Sequence, residues 1–169
     1  VIGLTGGTTG TPKAAMLSHE NIVSNMFVAR EWATSVQKRG EHKKFLGAVP
    51  FFHIIGMTAV MLVTAHFDST VYLIPDPRKF ESILKTIEKN KINYMHGVPT
   101  LFKALVSHPK FDEYDLSSLE VILSGAAPLS ADLGKKLEEE TGAIVVEAYG
   151  LTETSPSVAA NPFQRHLRR

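Results

Sequence analysis

Short β-branched and apolar runs alternate with helical repeats about six times along this chain, and few architectures accept that alternation. Val1-Ile2-Gly3-Leu4 reads as an interior strand, and residues 45–49, 70–74, 92–97, 119–124 and 144–149 read as further strands. Ser18 is placed to cap a helix running to about Ser35, with Ile22, Val23, Met26, Phe27, Arg30 and Ala33 on its buried face. Residues 57–65 are apolar all round and read as a core helix. Asp76 as cap and Pro77 at the first helical position open a helix with the stripe Phe80, Ile83, Leu84, Ile87. Pro99 opens a short helix. Ser130 caps another that Gly142 stops. Apolar strands joined by helical crossovers specify an α/β fold: three layers, a mainly parallel β-sheet with helices on both faces. Ligands of such sheets sit beyond the carboxyl ends of the strands. The loops of unusual composition follow those ends, at residues 5–13, 50–56, 97–99, 124–129 and 149–154, so they should gather along one edge.

Composition removes several function classes. The chain has 169 residues, enough for one sizeable core, with 44% apolar and 21% charged residues. A net charge of +1 gives no electrostatic case for nucleic acid. There is no cysteine, so thiolate catalysis, disulfides and cysteine zinc sites are excluded within this chain. No apolar run is long enough to cross a bilayer. Both ends read as cuts through a longer protein. We expect residues 1–160 to be one central unit and 161–169 a basic terminal tail.

Four stretches carry chemistry. The first is Thr5-Gly6-Gly7-Thr8-Thr9-Gly10-Thr11-Pro12-Lys13. Its glycines let the backbone approach a ligand, its N–H groups and hydroxyls can converge on an anion, and Lys13 adds a mobile positive charge. Pro12 before Lys13 and Ala14 after it depart from the common P-loop, which has Gly before the lysine and Ser or Thr after it. The same composition also fits an ordinary Gly/Thr turn. The second is Tyr149-Gly150-Leu151-Thr152-Glu153-Thr154: an aromatic face for a base, a tight turn, a hydroxyl for phosphate and a carboxylate for Mg²⁺. A strand-to-loop turn with a surface glutamate would look alike. The third, Ser124-Gly125-Ala126-Ala127-Pro128-Leu129, is small enough to let a flat group lie on the backbone, or simply packs closely into the next helix. The fourth, Pro50-Phe51-Phe52-His53-Ile54-Ile55-Gly56, holds a histidine in an apolar loop on the proposed ligand edge, open to a structural or a functional role.

In order and approximate spacing these four resemble the signatures of the adenylate-forming enzymes: acyl-CoA synthetases, luciferase-like proteins and peptide-synthetase adenylation domains. Ala14 and Ala126 stand where the family usually has glycine. Leu151 followed by Thr154-Ser155-Pro156 is more similar to acyl-CoA synthetases, above all fatty-acid–CoA ligases. The resemblance implies that ATP and a carboxylic acid, of medium or long chain, form an acyl-adenylate whose acyl group passes to coenzyme A. It further implies that Thr5, Gly7, Thr8, Thr9, Gly10 and Lys13 hold the β- and γ-phosphates. Gly125, Ala126, Ala127, Pro128, Tyr149 and Gly150 would enclose the adenine. Thr152 would contact the α-phosphate, Glu153 would hold Mg²⁺, and His53 would line the acyl pocket.

The family's ribose-binding aspartate, hinge and small lysine-bearing C-terminal domain have no counterpart here. We therefore expect the excised piece to be inactive alone and to self-associate. The parent is expected to be cytoplasmic, with peripheral membrane contact compatible with its substrates. A stand-alone nucleotide-binding module, or another adenylate-forming class such as an aryl-CoA ligase, is the alternative.

Overall fold

The computed structural model describes residues 1–5, 11, 13–33 and 41–163. Its centre is a six-stranded sheet built from β3 (Lys44–Gly47), β4 (Thr70–Leu73), β5 (Tyr94–Gly97), β6 (Val121–Ser124), β7 (Ile144–Gly150) and β8 (Ser157–Ala160). The strand order is β4-β3-β5-β6-β7-β8. All neighbours are parallel except the last pair, where β8 returns antiparallel to β7. Parallel pairing puts the carboxyl ends of β3 to β7 on one edge, as the α/β pattern requires.

Alternation along the strands sends side chains to two different cores. Leu46, Met95, Ile122 and Val145 pack on α3 (Phe80–Asn90), α4 (Pro99–Val106) and α5 (Ala131–Thr141) through Ile83, Leu84, Ile87, Phe102 and Leu137. Their neighbours Phe45, Tyr94, Val121 and Val146 face the other way and meet Trp32 of α1 (His19–Ala33) and Phe163. Phe163 belongs to the stretch expected as a tail, yet it is buried in this second core. Residues 164–169 lie outside the described residues.

The cap signals at two helices are borne out. Ser18 Oγ accepts from the Asn21 N–H at 3.0 Å, and Asn21 Oδ1 accepts in turn from the Ser18 N–H. Ser130 Oγ accepts from the Leu133 N–H, and Gly142 ends α5 at φ 73°, the left-handed conformation glycine adopts without strain.

Four expectations need correction. The helix expected from Asp76 begins at Phe80: the Asp76 carboxylate accepts from the Arg78 N–H and guanidinium, which closes a turn in place of a helix start. Val1 to Leu4 is not interior. β1 (Ile2–Thr5) pairs antiparallel with β2 (Lys13–Met16) in a two-stranded hairpin apart from the main sheet, and its apolar side chains are exposed. On α1, Ile22 and Asn25 are buried, while Val23 and Phe27 are exposed, because packing selects a narrower face than the apolar pattern suggested. The apolar helix is wound as a π-helix over Ile55–Leu62 and continues as α2 (Val63–His66); an all-apolar segment carries no period to distinguish the two windings. No helix among the described residues is long and apolar enough to cross a membrane.

Candidate active site

The hairpin is moored beside the strand ends by Leu17, which is buried with Ile22 of α1 and Ile54 ahead of the π-helix. Thr5 and Lys13 are cross-strand partners, so the two ends of the Gly/Thr loop are pinned together. Gly7, Thr8, Thr9 and Gly10 fall outside the described residues. On its other side the hairpin touches the turn after β7. A side chain at Gly3 would run into Thr152, so glycine is what lets β1 lie against that turn.

The turn itself is tightly braced. The Leu151 N–H donates to the Pro156 carbonyl at 2.9 Å, and Thr154 Oγ1 bonds the carbonyls of Leu151 and Pro156. A Cβ at Gly150 would overlap the Pro156 carbonyl, so this position admits only glycine. Asn25 of α1 clamps the turn from below. Its amide donates to the carbonyls of Thr154 and Ser157 and accepts from the Ser157 N–H. Thr152 and Glu153 are thereby held at the mouth of the sheet. Glu153 is exposed and has no ion-pair partner among the described residues.

The small-residue loop after β6 is fixed by a residue outside the four sequence stretches. Glu147 of β7 accepts a hydrogen bond from the Leu129 N–H at 3.0 Å, tying the loop to the strand that carries Tyr149. The signal was present: a carboxylate in the apolar run Ile144-Val145-Val146-Glu147 is anomalous unless it has a partner. Ala126 sits at φ 68°, a left-handed conformation that costs an alanine roughly 1–2 kcal/mol. The Tyr149 ring stands 60% exposed at the strand end, available to a flat ligand. His53 Nδ1 accepts from the Ile55 N–H at 3.2 Å. The neutral ring therefore carries its proton on Nε2 and can donate from there.

Thr5, Lys13, His53, Gly125, Ala126, Tyr149, Gly150, Thr152 and Glu153 all line one cavity of about 570 Å³. Ala127 and Pro128 do not; they continue the same loop on the exposed surface. The remaining walls are largely apolar, with Ile55, Ala59 and Val63 from the π-helix and α2 and Phe45, Val121 and Leu123 from the sheet among the lining residues. Tyr94 and His96 lie on its sheet wall, and neither was singled out from the sequence. Burial pushes the Tyr94 phenol up, reinforced by Glu120 and Glu41, and holds the His96 imidazole down at about 4. Among the described residues no cluster of three or more acidic or histidine side chains could cage a metal.

A sequence profile of the family described as AMP-binding enzyme matches residues 1–169, the whole chain. The chain belongs to the AMP-binding enzyme family. It is 43% identical over 163 residues to a long-chain-fatty-acid–CoA ligase of Bacillus subtilis (strain 168), covering 95% of this chain and 28% of that protein. To a probable 4-coumarate–CoA ligase 1 of Dictyostelium discoideum it is 36% identical over 166 residues, covering 96% and 29%. The crystal structure of ATP-bound MatB from Rhodopseudomonas palustris superposes with a TM-score of 0.78 at 30% identity, over 96% of this chain and 31% of that one. The chain thus spans less than a third of the length of the curated relatives it matches. Of the four stretches singled out from the sequence, the described residues of the first lie on the hairpin, and the other three lie ahead of and into the π-helix and at the ends of β6 and β7.

Proposed function

We propose that this chain is the nucleotide- and acid-binding centre of an ATP-dependent, AMP-forming acid–thiol ligase. The observation that carries it is the two-part cavity: a polar mouth bearing Lys13, Tyr149, Thr152 and Glu153 opens onto an apolar shaft along the sheet. A nucleotide fits the first part and an acyl chain the second. The 43% identity to a long-chain-fatty-acid–CoA ligase favours a fatty acid, and the 36% identity to a 4-coumarate–CoA ligase supports an aryl acid as the second reading.

In the first step the acid's carboxylate attacks the α-phosphorus of ATP and pyrophosphate leaves. In the second, the coenzyme A thiol takes the acyl group and AMP leaves. Tyr149 stacks on the adenine, and the backbone of Gly125 and Ala126 encloses it. The loop from Thr5 to Lys13 holds the β- and γ-phosphates, and Lys13 offsets the charge of the departing pyrophosphate. Thr152 donates to the α-phosphate. His53, with its proton on Nε2, donates to the acid's carboxylate and orients it for attack. Glu153, which has no ion-pair partner among the described residues, would hold Mg²⁺, an ion that usually takes only one or two carboxylates from the protein. When bound, Mg²⁺ supplies charge stabilisation at the phosphates. ATP and coenzyme A are both supplied in the cytoplasm, where we place the reaction.

The test is pyrophosphate exchange by the full-length protein carrying this segment, with a panel of fatty and aryl acids. Acid-dependent exchange is expected, and Glu153→Gln should reduce it at least a hundredfold. Wild-type exchange by that variant would remove Glu153 from the metal. We also infer that the 169-residue chain pairs with itself, because Ile2, Leu4 and Met16 leave the hairpin's apolar side chains exposed. Sedimentation as a monomer at high concentration would overturn that.

A further inference from the structure

The cavity's apolar shaft contains two polar groups with nothing to bond. Tyr94 is 4% exposed and its hydroxyl has no hydrogen-bond partner; His96 is 5% exposed and its Nδ1 has none. Folded proteins rarely leave buried polar atoms unpaired, and each such atom asks for an explanation. These two are not scattered. They sit on one strand, two residues apart, on the same face, with the Phe45 ring stacked at 4.7 Å from Tyr94 and 6.2 Å from His96. Both line the cavity whose mouth carries the nucleotide motifs. A shaft meant only for a plain alkyl chain would be expected to present carbon at both positions.

If the chain works as an acid–thiol ligase, on which this inference rests, depth can be read from strand register. Gly125 marks the mouth. Leu123 pairs with His96 and Val121 with Tyr94. At about 3.3 Å per residue, His96 lies roughly 7 Å and Tyr94 roughly 13 Å below the mouth. An extended chain advances about 1.2 Å per bond, so the two groups meet a substrate about six to eleven bonds from its carboxylate. Both are neutral at physiological pH, because burial disfavours their charged forms. A neutral phenol and a neutral imidazole suit an uncharged hydroxyl or carbonyl, which can donate to one and accept from the other. A second carboxylate at that depth would meet the charges of Glu120 and Glu41, which already engage Lys43, and among the described residues lining the cavity the one lysine or arginine is Lys13 at the mouth.

We propose that Tyr94 and His96 determine acid specificity by hydrogen bonding an uncharged hydroxyl or oxo group far along the chain of the acid. The preferred substrate is then an oxygenated medium- or long-chain acid, and the unsubstituted analogue is the poorer one. Sites built to bond a substrate hydroxyl discriminate strongly against analogues that lack it, because their own buried groups are then stranded.

Trp32, the only tryptophan in the chain, lines the same cavity, so its fluorescence reports occupancy without turnover. The chain is titrated with decanoate and with ω-hydroxydecanoate, as wild type, Tyr94→Phe and His96→Leu. Thermal melts check the fold of each variant. Tyr94→Phe removes only an unpaired oxygen and should fold at least as well as wild type. The hydroxy acid should bind wild type at least tenfold more tightly than decanoate. Each variant should bring the two affinities to within about threefold, chiefly by weakening the hydroxy acid. Equal affinity on wild type, or a preference that survives both substitutions, overturns the specificity assignment and leaves the ligase reading standing. If neither acid binds any form, the specificity assignment falls; acid-dependent pyrophosphate exchange by the full-length protein would then keep the ligase reading, and its absence would overturn that reading too.

Discussion

Asn25 and Ser157 are joined by a reciprocal pair of hydrogen bonds, 132 residues apart in sequence: the Ser157 N–H donates to Asn25 Oδ1 at 3.1 Å, and Asn25 Nδ2 donates to the Ser157 carbonyl at 2.8 Å. The side chain thereby imitates a neighbouring strand and ties α1 to the turn that presents Thr152 and Glu153. A third bond, to the Thr154 carbonyl at 2.9 Å, completes the clamp.

Replacing Asn25 by Leu would strand an N–H and two carbonyls beside a buried position. An unsatisfied buried group costs about 1–3 kcal/mol, so we expect Asn25→Leu to lower unfolding free energy by at least that much in urea titration. The full-length protein should also show a raised KM for ATP as the Thr152 turn loosens. Wild-type values for both would mean that the turn keeps its shape without the clamp.

Ala126 supplies a test in the opposite direction. Its left-handed φ of 68° costs an alanine what it would not cost a glycine. Glycine gains that back but loses more entropy on folding. The net should be a stabilisation of roughly 0.5–1 kcal/mol for Ala126→Gly, seen as a rise of about 1–4 °C in Tm. A fall in Tm would show that the alanine methyl makes contacts worth more than the strain.

His96 couples stability to pH. Burial holds its imidazole at about 4 against an ordinary 6.5, so between those values the unfolded chain binds a proton that the folded chain does not. The contribution is fully present above pH 6.5, declines as pH falls, and flattens below about 4. It amounts to roughly 3 kcal/mol. Glu81, held at about 2 by hydrogen bonds from Lys85, Lys110 and Tyr114, acts below its ordinary 4.5; its share is present above 4.5 and is lost as pH falls toward 2. The window from 4.5 to 6.5 therefore isolates the histidine. His96→Met should flatten the stability profile there, measured by urea unfolding at stepped pH. An unchanged slope would place the titration elsewhere.

The fold was legible where local chemistry and long-range packing agree. The Phe80, Ile83, Leu84, Ile87 stripe, the Ser18 and Ser130 caps and the Gly142 stop all depend on residues within one or two turns, and all appear as read. The apolar strands of a covered parallel sheet are equally plain. β2 and β8 were missed because each is a four-residue piece whose strand character comes from its partner. Asn25, Tyr94 and His96 were missed for a related reason. A polar residue at a core position is neutral information until its partner, or the absence of one, is known. Only tertiary placement separates a clamp like Asn25 from an orphan like His96. The candidate site was legible as four motifs because glycine and proline requirements are written locally. The close approach of Gly150 to the Pro156 carbonyl is one such requirement.

Lys13 stands where the two halves of the proposed reaction can be told apart. It is exposed at the first residue of β2, held opposite Thr5 at the neck of the Gly/Thr loop. A cation there can reach phosphate oxygens at the cavity mouth while its own backbone is fixed by the hairpin. Its effect should fall on the step in which pyrophosphate departs. Removing one preorganised charge group costs typically a factor of about 10² to 10³, and a flexible lysine should sit at or below the lower end. We expect Lys13→Ala in the full-length protein to raise KM for ATP or slow pyrophosphate exchange by about tenfold to a hundredfold. Thioester formation from presynthesised acyl-adenylate should stay near wild type, since no pyrophosphate leaves in that step. Lys13→Arg should recover part of the loss, because it restores charge but not the compact ammonium. Lys135→Ala is the control: that lysine pairs with Glu139 on α5 and does not line the cavity. A Lys13→Ala variant impaired only in thioester formation would move the lysine from the phosphates to the thiol half of the reaction, and the loop's assignment would have to move with it.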